Sequence, residues 1–138
     1  MTDLQDMIGE ATAGAPLGRK LGLQCDSLGP DRAVLSLPFD PSNVTIGEMV
    51  HGGAIATLAD AAATAAAWSS DSLPDNPRGS TIGFAITYMN AALGADLVAE
   101  ATVLKRGGSV LTVDVVVSDQ TGKPIAKALV SYKLSGKS

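Results

Sequence analysis

Residues 54–70, AIATLADAAATAAAWSS, limit what this chain can fold into more than any other segment. The run is rich in the best helix former and contains neither Gly nor Pro, so it predicts the one strong helix of the chain. Most of what remains alternates apolar and polar residues with the period of a strand. A single helix of small side chains cannot cover both faces of a sheet. The natural solution is a sheet curved strongly around that helix, with some surface left over for a partner subunit.

The punctuation supports this reading. TDLQDMIG, residues 2–9, predicts a short amphipathic helix with Leu4, Met7 and Ile8 on one side, broken by the Gly/Ala/Pro stretch at 9–18. Over residues 21–39 the period is two. Leu21 and Leu23 alternate, Ala33, Leu35, Leu37 and Phe39 line one face, and Leu28-Gly29-Pro30-Asp31 reads as a turn, so two antiparallel strands are expected. Residues 81–90 place Ile82, Phe84, Ile86 and Tyr88 on one face, and strands at 97–104, 110–117 and 125–134 follow. The separators Leu93-Gly94-Ala95-Asp96, Arg106-Gly107-Gly108 and Gln120-Thr121-Gly122-Lys123 are short and carry Gly, so each predicts a hairpin and the four strands a meander. The expected class is α+β, an antiparallel curved sheet of five to six strands around one long central helix. It forms one domain over residues 1–138, with its core at about 20–134.

Composition narrows the partners. The net charge is −4 and the ten Lys and Arg are scattered, so no basic stripe exists to track a nucleic acid. One cysteine, Cys25, and one histidine exclude an internal disulfide and leave little for a metal site, and no metal or cofactor is expected. MTDLQDMIGE carries acidic residues where a leader needs positive charge, and no run approaches the ~18 apolar residues of a membrane span. The expectation is a cytoplasmic protein without membrane contact.

On a helical projection Ile55, Leu58, Ala62, Ala65 and Ala66 form an apolar face for the sheet. Asp60, the helix's one charge, lies almost opposite, among Gly53, Ala56, Thr57, Ala63, Thr64 and Ala67. Solvated faces usually carry several Lys, Glu or Gln, whereas these small neighbours let a ligand or a second chain approach. Asp60 therefore reads either as a solvated surface residue or as a base or nucleophile in a partly dry groove. His51-Gly52-Gly53 enters the helix where the first N–H groups lack intrahelical partners. Two glycines leave those donors uncovered, so an oxyanion could be held there. The plainer alternative is that the glycines only let the helix start beside a strand, with His51 a packed turn residue.

Val50-His51-Gly52-Gly53-Ala54-Ile55-Ala56-Thr57-Leu58-Ala59-Asp60 resembles the V-H-G-G-x-x-x-x-L-x-D signature of hotdog-fold acyl-CoA thioesterases, nearest the phenylacetic-acid-degradation and human thioesterase-superfamily type. More distantly it is similar to 4-hydroxybenzoyl-CoA thioesterases, whose helix carries Glu. Ser80-Thr81-Ile82, Ile86-Thr87-Tyr88-Met89-Asn90, Gly94-Ala95-Asp96-Leu97 and Gly122-Lys123-Pro124-Ile125-Ala126 extend the likeness, in order, over residues 20–134. The resemblance implies a hotdog fold and hydrolysis of an acyl-CoA substrate to a free acid and CoA. It makes Asp60 the general base or nucleophile and has Gly52, with Gly53, polarise the thioester carbonyl. His51 would hydrogen-bond near the acyl or pantetheine portion, and Thr81 would place the attacking water or leaving thiolate. It also implies a homodimer or a homotetramer built as a dimer of dimers, with each site across an interface. Asn43, eight positions before His51 and so further off than the family's common spacing, and Arg106, Gly107 and Gly108 are candidates to bind substrate. The 70s loop with Trp68, Phe84 and Met89 is expected to shape the acyl pocket. Two rival functions share the pattern: a hotdog enoyl-thioester hydratase or dehydratase, and a non-catalytic acyl-CoA-binding module.

Overall fold

The alanine run folds as α3, Gly52–Trp68, in a computed structural model that describes residues 2–136. Leu58, Ala59, Ala62, Ala63, Ala65, Ala66 and Ala67 are all fully buried, which is wider coverage than one stripe. Ala63 and Ala67, expected on the open face beside Asp60, are inside. The reason is the reach of the sheet, because strands from β1 to β6 all approach this helix. Methyl-sized side chains let them come close, and an interior at crystal-like density leaves no gap around such a helix.

The sheet comprises β1 (Gln24–Gly29), β2 (Arg32–Leu37), β3 (Arg78–Tyr88), β4 (Leu97–Arg106), β5 (Val110–Asp119) and β6 (Pro124–Ser135). All five pairings are antiparallel and the order is β1-β2-β4-β5-β6-β3, an open curved sheet with α3 against its concave face. Alternation holds where it was expected. Ala33, Leu35 and Leu37, then Leu97, Ala99 and Ala101, then Leu111, Val113, Val115 and Val117 point inward at 1% exposure or less. Burying each of the larger ones is worth roughly 1.5–3 kcal/mol.

Three expectations need correction. The last four strands are not a simple meander, because β3 pairs with β6 at the far edge and only β4, β5 and β6 follow one another. Leu93-Gly94-Ala95-Asp96 is consequently a crossing connection and not a hairpin. Its turn residues bend the chain, with Gly94 at φ 55, but do not specify which strand becomes the neighbour. This segment runs beside the loop that leads into α3, with Met49 bridging Leu93 and the Val50 N–H donating to the Ala92 carbonyl at 2.9 Å. The Gly/Ala/Pro stretch contains a helix, α2 (Pro16–Leu21), so Leu21 is helical and only β1 begins beyond it. Pro16 in the first turn and Gly22 at φ 85 past the end are the ordinary start and stop signals of a helix. The N-terminal helix, α1 (Asp3–Ala11), starts from a Thr2/Gln5 capping box and passes Gly9 to end two residues later than expected.

The third correction concerns register in β3. Directly opposed residues share a face, and Gly79, Phe84, Ile86 and Tyr88 oppose the inward Leu134, Val130, Ala128 and Ala126. Thr81 opposes the inward Tyr132, and a β-bulge interrupts the register between Thr81 and Gly83. The unpaired residue is Ile82, which is 56% exposed and does not join the inward face assigned to it by strict alternation. Without the bulge, positions 81 and 88 would lie on opposite faces. With it, both look toward α3.

Candidate active site

At the start of α3 each early N–H can be followed to its partner. His51 is the N-cap: its Nδ1 accepts from the Gly53 N–H at 2.8 Å, and its carbonyl accepts from Ala54 and Ile55 at 2.9 and 3.1 Å. The Gly52 N–H has no hydrogen-bond partner among the described residues. It sits at the positive end of the helix dipole, open to an approaching oxygen. The Gly52 carbonyl accepts from the Tyr88 hydroxyl at 2.7 Å, which ties the first turn to β3. Gly53 must lack a side chain, because a Cβ there would come within 2.9 Å of His51 Nδ1 and displace the cap. A cavity of about 340 Å³ opens beside Gly52, walled by Met49, Ile55, Tyr88 and Met89.

The loop behind is held by Asn43. Its carbonyl accepts from the His51 N–H at 2.8 Å and its Nδ2 donates to the Leu21 carbonyl at 2.8 Å, joining α2 to the entry of α3. Asn43 is 8% exposed, so in this chain it braces the loop from within while also edging a recess shared with His51 and Thr57.

Asp60 follows two turns later, about 12 Å along the helix axis from Gly52. Its Oδ1 accepts from Thr81 Oγ1 at 2.7 Å, across from α3 to β3. Among the described residues it enters no salt bridge. The partly buried carboxylate lines a recess of about 170 Å³ with Leu17, Thr57 and Thr64. Thr64 is also part of the wall of a larger, mainly apolar cavity of about 480 Å³ under α1. Tyr132, opposite Thr81 in register, lies in that wall. Burial pushes the Tyr132 hydroxyl above its ordinary range against the hydrogen bond from Trp68, and the charge of Asp60 adds to the upward push.

The structure thus brings Asp60 and Thr81 together, and His51, Gly52 and Gly53 together, as two clusters on one helix. Arg106 lies elsewhere. Its guanidinium binds Asp31 Oδ1 at 2.7 and 3.0 Å and the Ala67 carbonyl at 3.0 Å, so it caps the last turn of α3, about 22 Å along the helix from Gly52. The Gly107 N–H closes a turn onto the Val110 carbonyl at 3.1 Å, and Gly108 faces open space. Of the residues expected to shape an acyl pocket, Trp68 walls the cavity under α1, Met89 the one beside Gly52, and Phe84 lies 37% exposed on the edge strand. Sequence reasoning missed Tyr88 as a clamp on the first turn, Gly79 and Tyr132. The only signal for Tyr88 was a polar-tipped aromatic at an inward position of an otherwise apolar face.

Comparison with known proteins agrees with the fold and gives the family. The profile of the thioesterase superfamily matches residues 47–126. Zebra fish thioesterase superfamily member 2 is 31% identical, with 94% of each chain covered and a TM-score of 0.77. A thioesterase family protein from Silicibacter pomeroyi is 23% identical over 97% of this chain and 99% of its own, with a TM-score of 0.87. A Streptococcus mutans protein crystallised with acetyl CoA is 22% identical over 83% of this chain and 90% of its own, with a TM-score of 0.74.

Proposed function

The chain belongs to the thioesterase superfamily, and from that premise we propose that it hydrolyses an acyl-CoA to a carboxylic acid and CoA. The observation that carries this reading is Asp60, the one charge of a buried helix, oriented by Thr81 Oγ1 at 2.7 Å and lining a recess that shares Thr64 with an apolar cavity. The acetyl CoA held by the Streptococcus mutans relative supports a CoA thioester as the ligand class.

The carbonyl oxygen would face the free Gly52 N–H. A water oxygen bonds to the acyl carbon as Asp60 takes its proton, the C–S bond breaks, and the CoA thiolate leaves and picks up a proton. Direct attack by the carboxylate, giving an anhydride that water opens, needs the same group in the same place. Heavy-oxygen label found in Asp60 after a single turnover in labelled water reveals direct attack, since water reaches the Asp60 carboxyl carbon only through the anhydride. Reacting groups must lie within about 3–3.5 Å of one another. Gly52 and Asp60 of one chain are about 12 Å apart, so the reading has the site shared: Gly52, Gly53 and His51 from one copy, Asp60 and Thr81 from the other. The unpaired edge of β3 and its exposed Ile82 offer a surface for that second copy. In this reading Asn43 positions the oxyanion loop and Arg106 braces the far end of α3.

The test is thiol release from a panel of acyl-CoAs by wild type, Asp60→Asn and Asp60→Ala. Loss of the carboxylate should lower kcat by about 10²–10⁴-fold. Undiminished turnover in the two variants would overturn the assignment. The absorbance of an enoyl-CoA, followed in parallel, reports a hydratase if one is present.

A further inference from the structure

We propose that the acyl chain lies along α3 from Asp60 to Trp68, in the cavity under α1, and that Trp68, Tyr132 and Gly79 set the length it can have. This rests on Asp60 being the catalytic carboxylate. Asp60, Thr64 and Trp68 recur every four residues, so they form one stripe along the helix, about 12 Å from end to end. Thr64 borders both the Asp60 recess and the larger cavity, which makes the two spaces neighbours along that stripe. Leu4, Met7 and Ile8 of α1 roof the cavity, and no Lys, Arg, Asp or Glu lines it. At about 480 Å³ it falls within the size range of ligand pockets, roughly 300–1,000 Å³.

Trp68 and Tyr132 stand together in the wall of the cavity. Trp68 Nε1 donates to Tyr132 Oη at 2.7 Å, so the indole N–H is satisfied within the wall and the two rings are held together. Gly79 makes room for that pair: a Cβ there would stand 2.5 Å from Tyr132 Oη and 2.9 Å from Trp68 Nε1. A wall with no charge offers nothing to a dicarboxylic acyl group, since a buried carboxylate without a partner is costly. The acyl group this wall accepts is therefore an uncharged, apolar one, bound by burial alone.

Trp68 is the only tryptophan of the chain, so its emission reports occupancy of this cavity directly. Non-hydrolysable S-alkyl-CoA thioethers are titrated into the wild-type protein. CoA and S-ethyl-CoA should leave the emission unchanged. S-octyl-CoA should change it saturably and bind at least about tenfold more tightly than S-ethyl-CoA. In the thiol-release assay Gly79→Ala should push the Trp68–Tyr132 pair into the cavity and lower the octanoyl-to-acetyl ratio of kcat/KM about tenfold. The proposal is overturned if the emission ignores alkyl length, or if folded Gly79→Ala scales every acyl-CoA alike. Should wild type release no thiol from any acyl-CoA while Trp68 still follows alkyl length, the hydrolase reading falls and the pocket stands. The fluorescence titration needs no variant, so a misfolded Gly79→Ala does not block the decision.

Discussion

Replacing Gly52 by proline removes a single hydrogen-bond donor and tests the oxyanion assignment directly. Proline is tolerated at the first position of a helix, where its missing N–H has no intrahelical partner to lose. His51 already has the backbone that a residue before proline adopts, at φ −61 and ψ 131. The cost to the fold is therefore small, and the main steric cost is a Cβ at 3.4 Å from the Tyr88 ring, a contact that needs a shift of a few tenths of an ångström. Gly52→Ala places the same atom in the same position and keeps the N–H, so it serves as the control for crowding. Loss of one oxyanion donor lowers kcat by about 10²–10³-fold, or about 2.7–4 kcal/mol of transition-state stabilisation. Gly52→Pro should show that loss with its thermal unfolding close to wild type, while Gly52→Ala retains most of the turnover. Steady-state thiol release and a melting curve on the same samples provide both readouts. If folded Gly52→Pro turns over like wild type, or Gly52→Ala loses as much as Gly52→Pro, the free N–H is not the oxyanion donor.

A shared site also predicts complementation. Co-refolding equal amounts of Gly52→Pro and Asp60→Asn should restore about a quarter of wild-type activity, because half the dimers are mixed and each mixed dimer has one intact site; no recovery would put both groups in one chain. Thr81→Val keeps the shape of the side chain and removes the hydroxyl that donates to Asp60. A bond to a charged acceptor is worth about 1.5–3 kcal/mol, so kcat should drop about tenfold or more with KM little changed, and Thr81→Ser should recover it; equal rates for the Val and Ser variants would remove Thr81 from the site. Burial raises the Tyr132 hydroxyl above its ordinary value of 10.0. The unfolded chain releases that proton near pH 10 while the folded chain keeps it, so its contribution to stability is intact below pH 10 and is lost as pH climbs through the raised folded value. Urea midpoints should fall more steeply above pH 10 for wild type than for Tyr132→Phe, and parallel curves would count against it.

Much of this structure was legible because its period and punctuation were unmixed. The alanine run, the alternation in β2, β4 and β5, and the hairpins at Gly107 and Gly122 each depend on neighbours in sequence. The position of β3 does not. Residues 93–96 announce a bend, but the partner of β3 is chosen by contacts with β6, whose paired residues lie 38–57 positions further along the chain. Ile82 hid the bulge, since an apolar residue there continues the apparent alternation of 82, 84, 86 and 88. Pro16 and Gly22 were available as helix signals, and the glycines between and around them masked α2. Asp60 stood out as a lone charge among small residues, whereas Thr81 could be tied to it only through the family pattern. Gly79 and Tyr132 carry no local mark at all, because what joins them is a clearance between two strands and a helix.

The extra residue at Ile82 has a consequence for anyone who recombines or redesigns this strand. It acts as a phase shift: counted along the sequence, the segments before and after it are out of step by one, and the bulge absorbs that extra residue so that both present side chains to α3. Flattening the bulge while keeping Ile82 would leave a strand that still pairs with β6, yet would turn either the Thr81 end or the Tyr88 end outward, whereas deleting Ile82 removes the bulge with its extra residue and leaves both ends inward. A graft from a relative should therefore exchange residues 78–88 as one cassette. A splice inside it that changes the spacing of Thr81 and Tyr88 by one residue must gain or lose the bulge with it, or one end of the strand faces solvent.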